Sequence, residues 1–202
     1  VNSITGETRG LTVAAGSGLT TFDAVVGNTD ALGAIIISGS GGLDLNAAIG
    51  SGATAGATSL AVTGATALGA DVTTSGAQTY TGLVTADVAA KRTLTGSTIT
   101  LTGGLDGGAQ ALDIAGDLVT GAAMTNITVL DVSGTASLGG SVTTADSLTI
   151  DGTLTLTTNI TLDSTGNDAT DDITLAAISG TAGGATESLV LDAGAAGAIS
   201  VS

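Results

Sequence analysis

Apolar residues fall on every second position in short bursts along the chain. Thr93-Leu94-Thr95, Thr98-Ile99-Thr100-Leu101-Thr102, Ser147-Leu148-Thr149-Ile150 and Thr153-Leu154-Thr155-Leu156-Thr157 each alternate an aliphatic side chain with a hydroxyl-bearing one. A period of two puts one kind on each face of an extended strand, and Thr with the β-branched aliphatics suits a half-buried pleated surface. Glycine-containing turns close nearly every burst, so the strands are short. Helical character is hinted at only over Val84 to Lys91, where Ala and Val cluster around Asp87. Gly82 and the Thr93 to Thr95 burst crowd that stretch, which favours a loop or strand edge.

The bursts share a motif of a small residue or Val, then Leu, a variable residue, Val or Ile, a variable residue and Gly. Ser59 to Gly64, Ala111 to Gly116, Val129 to Gly134 and Ser147 to Gly152 follow it, and Gly10 to Val13 and Ser188 to Asp192 follow it approximately. Leu112, Leu130 and Leu148 are 18 residues apart, and Ser75-Gly76-Ala77-Gln78 is echoed 32 residues later by Gly107-Gly108-Ala109-Gln110. A period near 20 with one inward Leu-x-Val strand per unit is the requirement of a coil that returns each strand one spacing above the last.

Composition narrows the architecture to a thin one. The 202 residues include 33 Gly, one Phe and one Tyr, with no Pro, Cys, His or Trp. A β-sandwich fills a roughly 10 Å gap between its sheets with larger side chains than these. Disorder is disfavoured by the many branched aliphatics and the absence of Pro. The expectation is an all-β parallel β-solenoid of roughly ten short coils, residues 1–202 forming one module, itself one segment of a longer repetitive fibre.

Eighteen acidic residues against Arg9, Lys91 and Arg92 leave a net charge of −15, the wrong sign for phosphate backbones or anionic lipid. No apolar run approaches the roughly 20 residues of a spanning helix, so no membrane insertion is expected. An export signal would have to precede Val1, because no charged stretch followed by an apolar run opens the sequence. Without His or Cys the usual triads and imidazole metal ligands are missing, and no catalytic or cofactor-binding residue is assigned.

The run Ala67-Leu68-Gly69-Ala70-Asp71-Val72-Thr73-Thr74-Ser75-Gly76-Ala77-Gln78-Thr79-Tyr80-Thr81-Gly82-Leu83-Val84-Thr85, with Thr93 to Leu101 and Gly107 to Leu112 after it, resembles repeats of giant bacterial surface proteins related to filamentous haemagglutinin. Leu11 to Gly27 is similar to the portion that follows in such repeats, whereas residues 153–202 match only in style. The resemblance implies a right-handed parallel β-helix, secretion to the surface of a Gram-negative-type cell, and adhesion or matrix formation.

The leading functional expectation is a non-enzymatic fibre or adhesin module that stacks head to tail. Its partners would be further copies or tandem repeats, and a host or neighbouring cell surface or polysaccharide. The terminal strands would carry the contact, Leu11, Thr12 and Val13 at one end and Leu189, Val190 and Leu191 at the other. Two alternatives stand beside it. Thr-x-Thr bursts on one flat side would suit an ice-binding solenoid. Parallel β-helices also host polysaccharide-active enzymes, but Phe22 and Tyr80 cannot line a sugar groove alone. No cofactor is expected, with Ca²⁺ as the one candidate, at Asp168, Asp171 and Asp172. Isolated aspartates such as Asp113, Asp131, Asp151, Asp163 and Asp192 read as solvated outward positions, and Asn126 and Asn159, in Asn-Ile-Thr sequons, as strand residues.

Overall fold

The computed structural model describes residues 9–50, 55–166, 168–181 and 186–202. Every regular element in them is a strand, and every strand pairing is parallel. The chain winds as a β-solenoid with three faces per turn. On the first face the inward ladder runs Leu11, Ile35, Leu60, Gln78, Ile99, Leu118, Ala136, Leu154 and Ile178. On the second it runs from Thr20 through Leu43, Thr66, Val84, Leu105, Met124, Val142 and Leu162 to Leu191. On the third it runs from Val26 through Ile49, Val72, Leu94, Ile114, Val132, Ile150 and Leu175 to Val201.

These ladders make about eight turns rather than ten. The 18-residue step holds from Leu112 to Leu130 to Leu148, but Leu11 to Ile35 takes 24 residues and Ile35 to Leu60 takes 25, because the early corners carry longer loops. Eight rung spacings of about 4.8 Å make a stack about 38 Å tall.

The Leu-x-Val motif does not mark one strand per turn. Leu60-Ala61-Val62 lies on the first face, Leu112-Asp113-Ile114 on the third and Leu189-Val190-Leu191 on the second. Any face can use it, since each needs two inward aliphatics flanking one outward residue. The separate Thr-rich bursts fuse for the same reason. Arg92–Leu101 and Leu148–Leu156 are each one strand bent across a corner, with register breaks between Thr95 and Thr98 and between Ile150 and Thr153. Val84–Ala86 is a strand and bends follow it, so no helix forms there.

Corners are tight because successive turns nearly touch. Gly42 and Gly104 occupy the same corner three turns apart, both at φ near +80°. A Cβ there would stand 2.0 Å from Ala65 O or 2.3 Å from Ala123 O, which no L side chain tolerates.

The core is a single column of aliphatic side chains in which Ile35, Leu43, Leu45, Leu94, Leu101, Val132, Leu148 and Leu175 are sealed from solvent. A polar cluster interrupts it at Tyr80. The Tyr80 hydroxyl donates to Gln78 Oε1 at 2.9 Å, and Gln78 Nε2 donates to Thr95 O at 2.8 Å. Burial pushes the Tyr80 phenol well above its usual range. Gln110, the echo of Gln78, sits elsewhere, at the corner where it pairs with Ile127 and donates to its own Gly108 O at 3.0 Å. The 32-residue echo is therefore not a structural repeat.

Candidate functional site: the open ends and the three outer faces

An inward ladder is closed by the rung above and the rung below, so its last member loses half its cover. At the N-terminal end, Leu11 and Val13 of strand Leu11–Gly16, Phe22 of strand Thr20–Phe22, and Val26 are only half-buried, while Ile35, Ile37, Leu45 and Ile49 one rung inside are fully buried. At the C-terminal end, Leu189 and Leu191 are half-buried, and Ile178, Ile199 and Val201 are 40%, 48% and 51% exposed. Among the described residues, strands Leu11–Gly16, Leu189–Asp192 and Ile199–Val201 each pair with one neighbour only. Each leaves an edge of backbone donors and acceptors available.

The sequence-derived end residues all lie in terminal strands, in differing roles. Leu11, Val13, Leu189 and Leu191 point inward, while Thr12 and Val190 point outward, Val190 opposite Thr161. The two trios also lie on different faces. Leu11–Gly16 tops the first face, whose other end is the Ile178 to Gly180 portion of strand Ile173–Gly180, and Leu189–Asp192 ends the second face, which begins at Thr20–Phe22. Phe22, Val26, Ile178, Ile199 and Val201 complete the two ends and were not anticipated. Ile199-Ser200-Val201 carries the same apolar alternation as its neighbours and is the signal that could have found them.

Carboxylates stack on the second and third faces. Asp113 lies directly opposite Asp131, and Asp163 opposite Asp192. Burial, then Asp113 and Asp151, raises the Asp131 carboxyl above its ordinary range against the pull of Lys91. Burial and then Asp192 raise Asp163 in the same way. Lys91 forms an ion pair with Asp113, and Arg92 Nη1 lies 3.6 Å from Asp71 Oδ1. Asp106 is held low by the Gly108 amide and the Asn126 side-chain amide, both donating to its Oδ1 at 3.0 Å.

The acidic turn near the C-terminus sends its carboxylates in different directions. Asp168 Oδ1 accepts from the Thr170 amide and hydroxyl at 2.8 and 2.6 Å, which holds it low. Asp171 is buried and accepts the Asp168 amide on Oδ2 at 2.7 Å, and Asp172 Oδ1 accepts the Ala198 amide at 2.8 Å. Among the described residues no three carboxylates are placed to hold one metal ion. Asn167, beside this turn, lies outside the described residues, as do Ser51 and Gly52 of one glycine-rich stretch.

The Thr-x-Thr bursts are divided between faces. Thr79 and Thr81 stack under Thr100 and Thr102 on the first face, the next two rungs replace them by Val119/Gly121 and Ser137/Gly139, and Thr155/Thr157 follow. Thr93 and Thr95 belong to the third face. Of the sequon residues, Asn126 is a strand residue at φ 56°, in the left-handed region, and Asn159 lies in the turn before Ile160–Ser164, accepting the Ser188 amide at 3.0 Å.

Asn126, Ala109, Ile127 and Thr143 line a surface notch of about 170 Å³ whose walls carry no ionisable group. Tyr80 is sealed in the core and lines no groove. Among the described residues no helix is long and apolar enough to cross a membrane. No family model, curated protein or solved structure matches the chain.

Proposed function

We propose that the chain is a structural, non-enzymatic module of an extracellular or cell-surface fibre, extended by stacking its open ends on further copies or repeats of itself. The observation that carries this reading is the exposure of inward-ladder residues at both ends. Ile199 and Val201 continue columns whose next members, Ile173, Leu148 and Leu130 under the one and Leu175, Ile150 and Val132 under the other, are buried, and a further rung would restore that burial. A following copy that keeps the faces aligned sets its Leu11–Gly16 on Ile178 to Gly180, its Thr20–Phe22 on Leu189–Asp192 and its Val26 beside Ile199–Val201. The hydrogen-bond ladder then continues across the junction, and the absence of Pro leaves every strand amide able to join it. The resemblance to haemagglutinin-like repeats supports secretion and adhesion as the setting. A contact with host surface or polysaccharide would be made along the flanks of such a fibre.

Electron microscopy and sedimentation of purified chain test this. Rods longer than the single module, lost in the Ile199→Lys/Val201→Lys double variant, are the expected result. Compact particles of the single-chain mass at every protein and salt concentration would sink the reading. The two substituted side chains are already exposed, so the variant keeps its fold, which a circular-dichroism melt verifies.

A further inference from the structure

The outer faces are chemically unequal. Outward on the second face stand Asp44, Asp106, Asp163 and Asp192, and on the third Asp113 stands opposite Asp131 with Asp151 near enough to act on it. The first face has none along its centre. Its central outward column runs through Ala61, Thr79, Thr100, Val119, Ser137 and Thr155. The column beside it, including Thr63, Thr81, Thr102 and Thr157, is equally uncharged. On the other side the one carboxylate is Asp117, and its Oδ1 is occupied by the Thr135 amide and hydroxyl of the next rung at 2.8 and 2.9 Å. A chain of net charge −15 thus keeps one broad, flat, small-residue surface almost free of charge.

We propose that this first face is a lateral self-association surface, pairing with the same face of a second copy. Three features of the face select that occupant. Pairing through it lets two chains of charge −15 approach with all their carboxylate columns turned away from the contact. Its area is sufficient: nine strands about 4.8 Å apart and five residues of about 3.3 Å across offer about 650 Å² per copy, or about 1,300 Å² in a pair, above the roughly 1,000 Å² of a specific interface. Apart from Ile36, which stands 40% exposed between Thr12 and Ala61 near one end, its side chains are short, so two such sheets can lie close. A sugar polymer is the poorer fit, since no aromatic ring stands on the face. The proposal does not depend on the stacking of the ends.

Symmetry makes it testable in a chain that has no cysteine. Thr100 is central in both directions, in the fifth of nine rungs and in the middle column. A two-fold pairing that overlaps the whole face with itself passes its axis through the centre and brings Thr100 against Thr100, whether the rods run parallel or antiparallel. Thr155 meets its own copy only when they run parallel.

The experiment uses the full chain carrying Ile199→Lys and Val201→Lys, so that end-to-end growth is suppressed. At high salt, which screens the net charge, the expected result is a doubling of the 18.8 kDa mass in sedimentation. A short bis-maleimide should cross-link Thr100→Cys, and cross-linking of Thr155→Cys as well assigns parallel rods, its absence antiparallel ones. Thr100→Asp should abolish the doubling, whereas Thr143→Asp on the second face should leave it unchanged. A chain that stays at single mass, a Thr143→Cys control that cross-links as well as Thr100→Cys, or a Thr100→Asp variant that still pairs would each overturn the proposal. So would a monomeric chain that inhibits ice recrystallisation or co-sediments with an insoluble polysaccharide, because the face would then have another occupant. Long rods from the unsubstituted chain with no lateral pairs overturn this inference and leave the end-stacking reading intact.

Discussion

Thr66 shows how much one inward hydroxyl matters in a column this narrow. It stands between Leu43 and Val84 on the second face, almost fully buried, and its Oγ1 has no hydrogen-bond partner among the described residues. A buried hydroxyl without a partner costs its desolvation. Thr66→Val keeps the β-branched shape and should stabilise the fold by about 1 kcal/mol in urea denaturation. Tyr80 is the opposite case, its hydroxyl used by Gln78. Because burial raises the folded phenol above its ordinary value of 10.0, the unfolded chain loses that proton first as pH rises. Stability should therefore fall above about pH 10, and tyrosinate absorbance should appear together with unfolding. In Tyr80→Phe this Tyr-linked alkaline loss disappears, while stability at neutral pH drops by about 1–3 kcal/mol because Gln78 Oε1 is left bare. At this scale the sequence was deceptive: Gln78 and Gln110 both end a Gly-Ala-Gln tripeptide, yet one is core and the other a corner, since the tripeptide does not record which face its strand joins.

Strands behave as the alternation foretold, but their boundaries do not. The period-two pattern identified Leu94, Ile99, Leu101, Leu148, Leu154 and Leu156 as inward, and all are buried. What local pattern could not show is that a strand continues round a corner, as Leu105–Thr120 does across all three faces. Continuity there is decided by the rungs on either side, a contact roughly 20 residues distant in the chain. Stacking also converts lone acids into columns. Asp131 lies over Asp113, and its carboxyl binds a proton more readily in the fold than in the unfolded chain. A raised folded pKa contributes stability that grows as pH falls and is lost as pH rises through it. Asp131→Asn should therefore stabilise the fold at neutral pH by on the order of a few tenths of a kcal/mol for so exposed a group, read as a higher melting temperature, and the gain should vanish toward pH 4.

For the whole molecule, the absences in the composition turn out to be requirements of its shape. A narrow core enclosed by three faces leaves little room for aromatic side chains, and Gly is needed where turns touch, as at Gly42 and Gly104. The ends were half legible. Leu11 to Val13 and Leu189 to Leu191 carried the motif, but with no rung count the sequence could not show that Ile199–Val201 shares the last rung with Leu189–Asp192. The net charge resists both kinds of assembly, so rod length and pairing should increase together as salt rises from low to high.

The 18-residue step between Leu112, Leu130 and Leu148 has a further consequence. Excising residues 130–147 joins Val129 to Leu148, which enters the place Leu130 held over Leu112 with the same alternation behind it. Interactions are nearly all between adjacent rungs, so nothing remote is disturbed. The shortened chain should fold with a cooperative melt, one rung lower than its parent. Length in this molecule is thus a digital property that genetic deletion or duplication can change in increments of about 4.8 Å, with new contacts only at the junction.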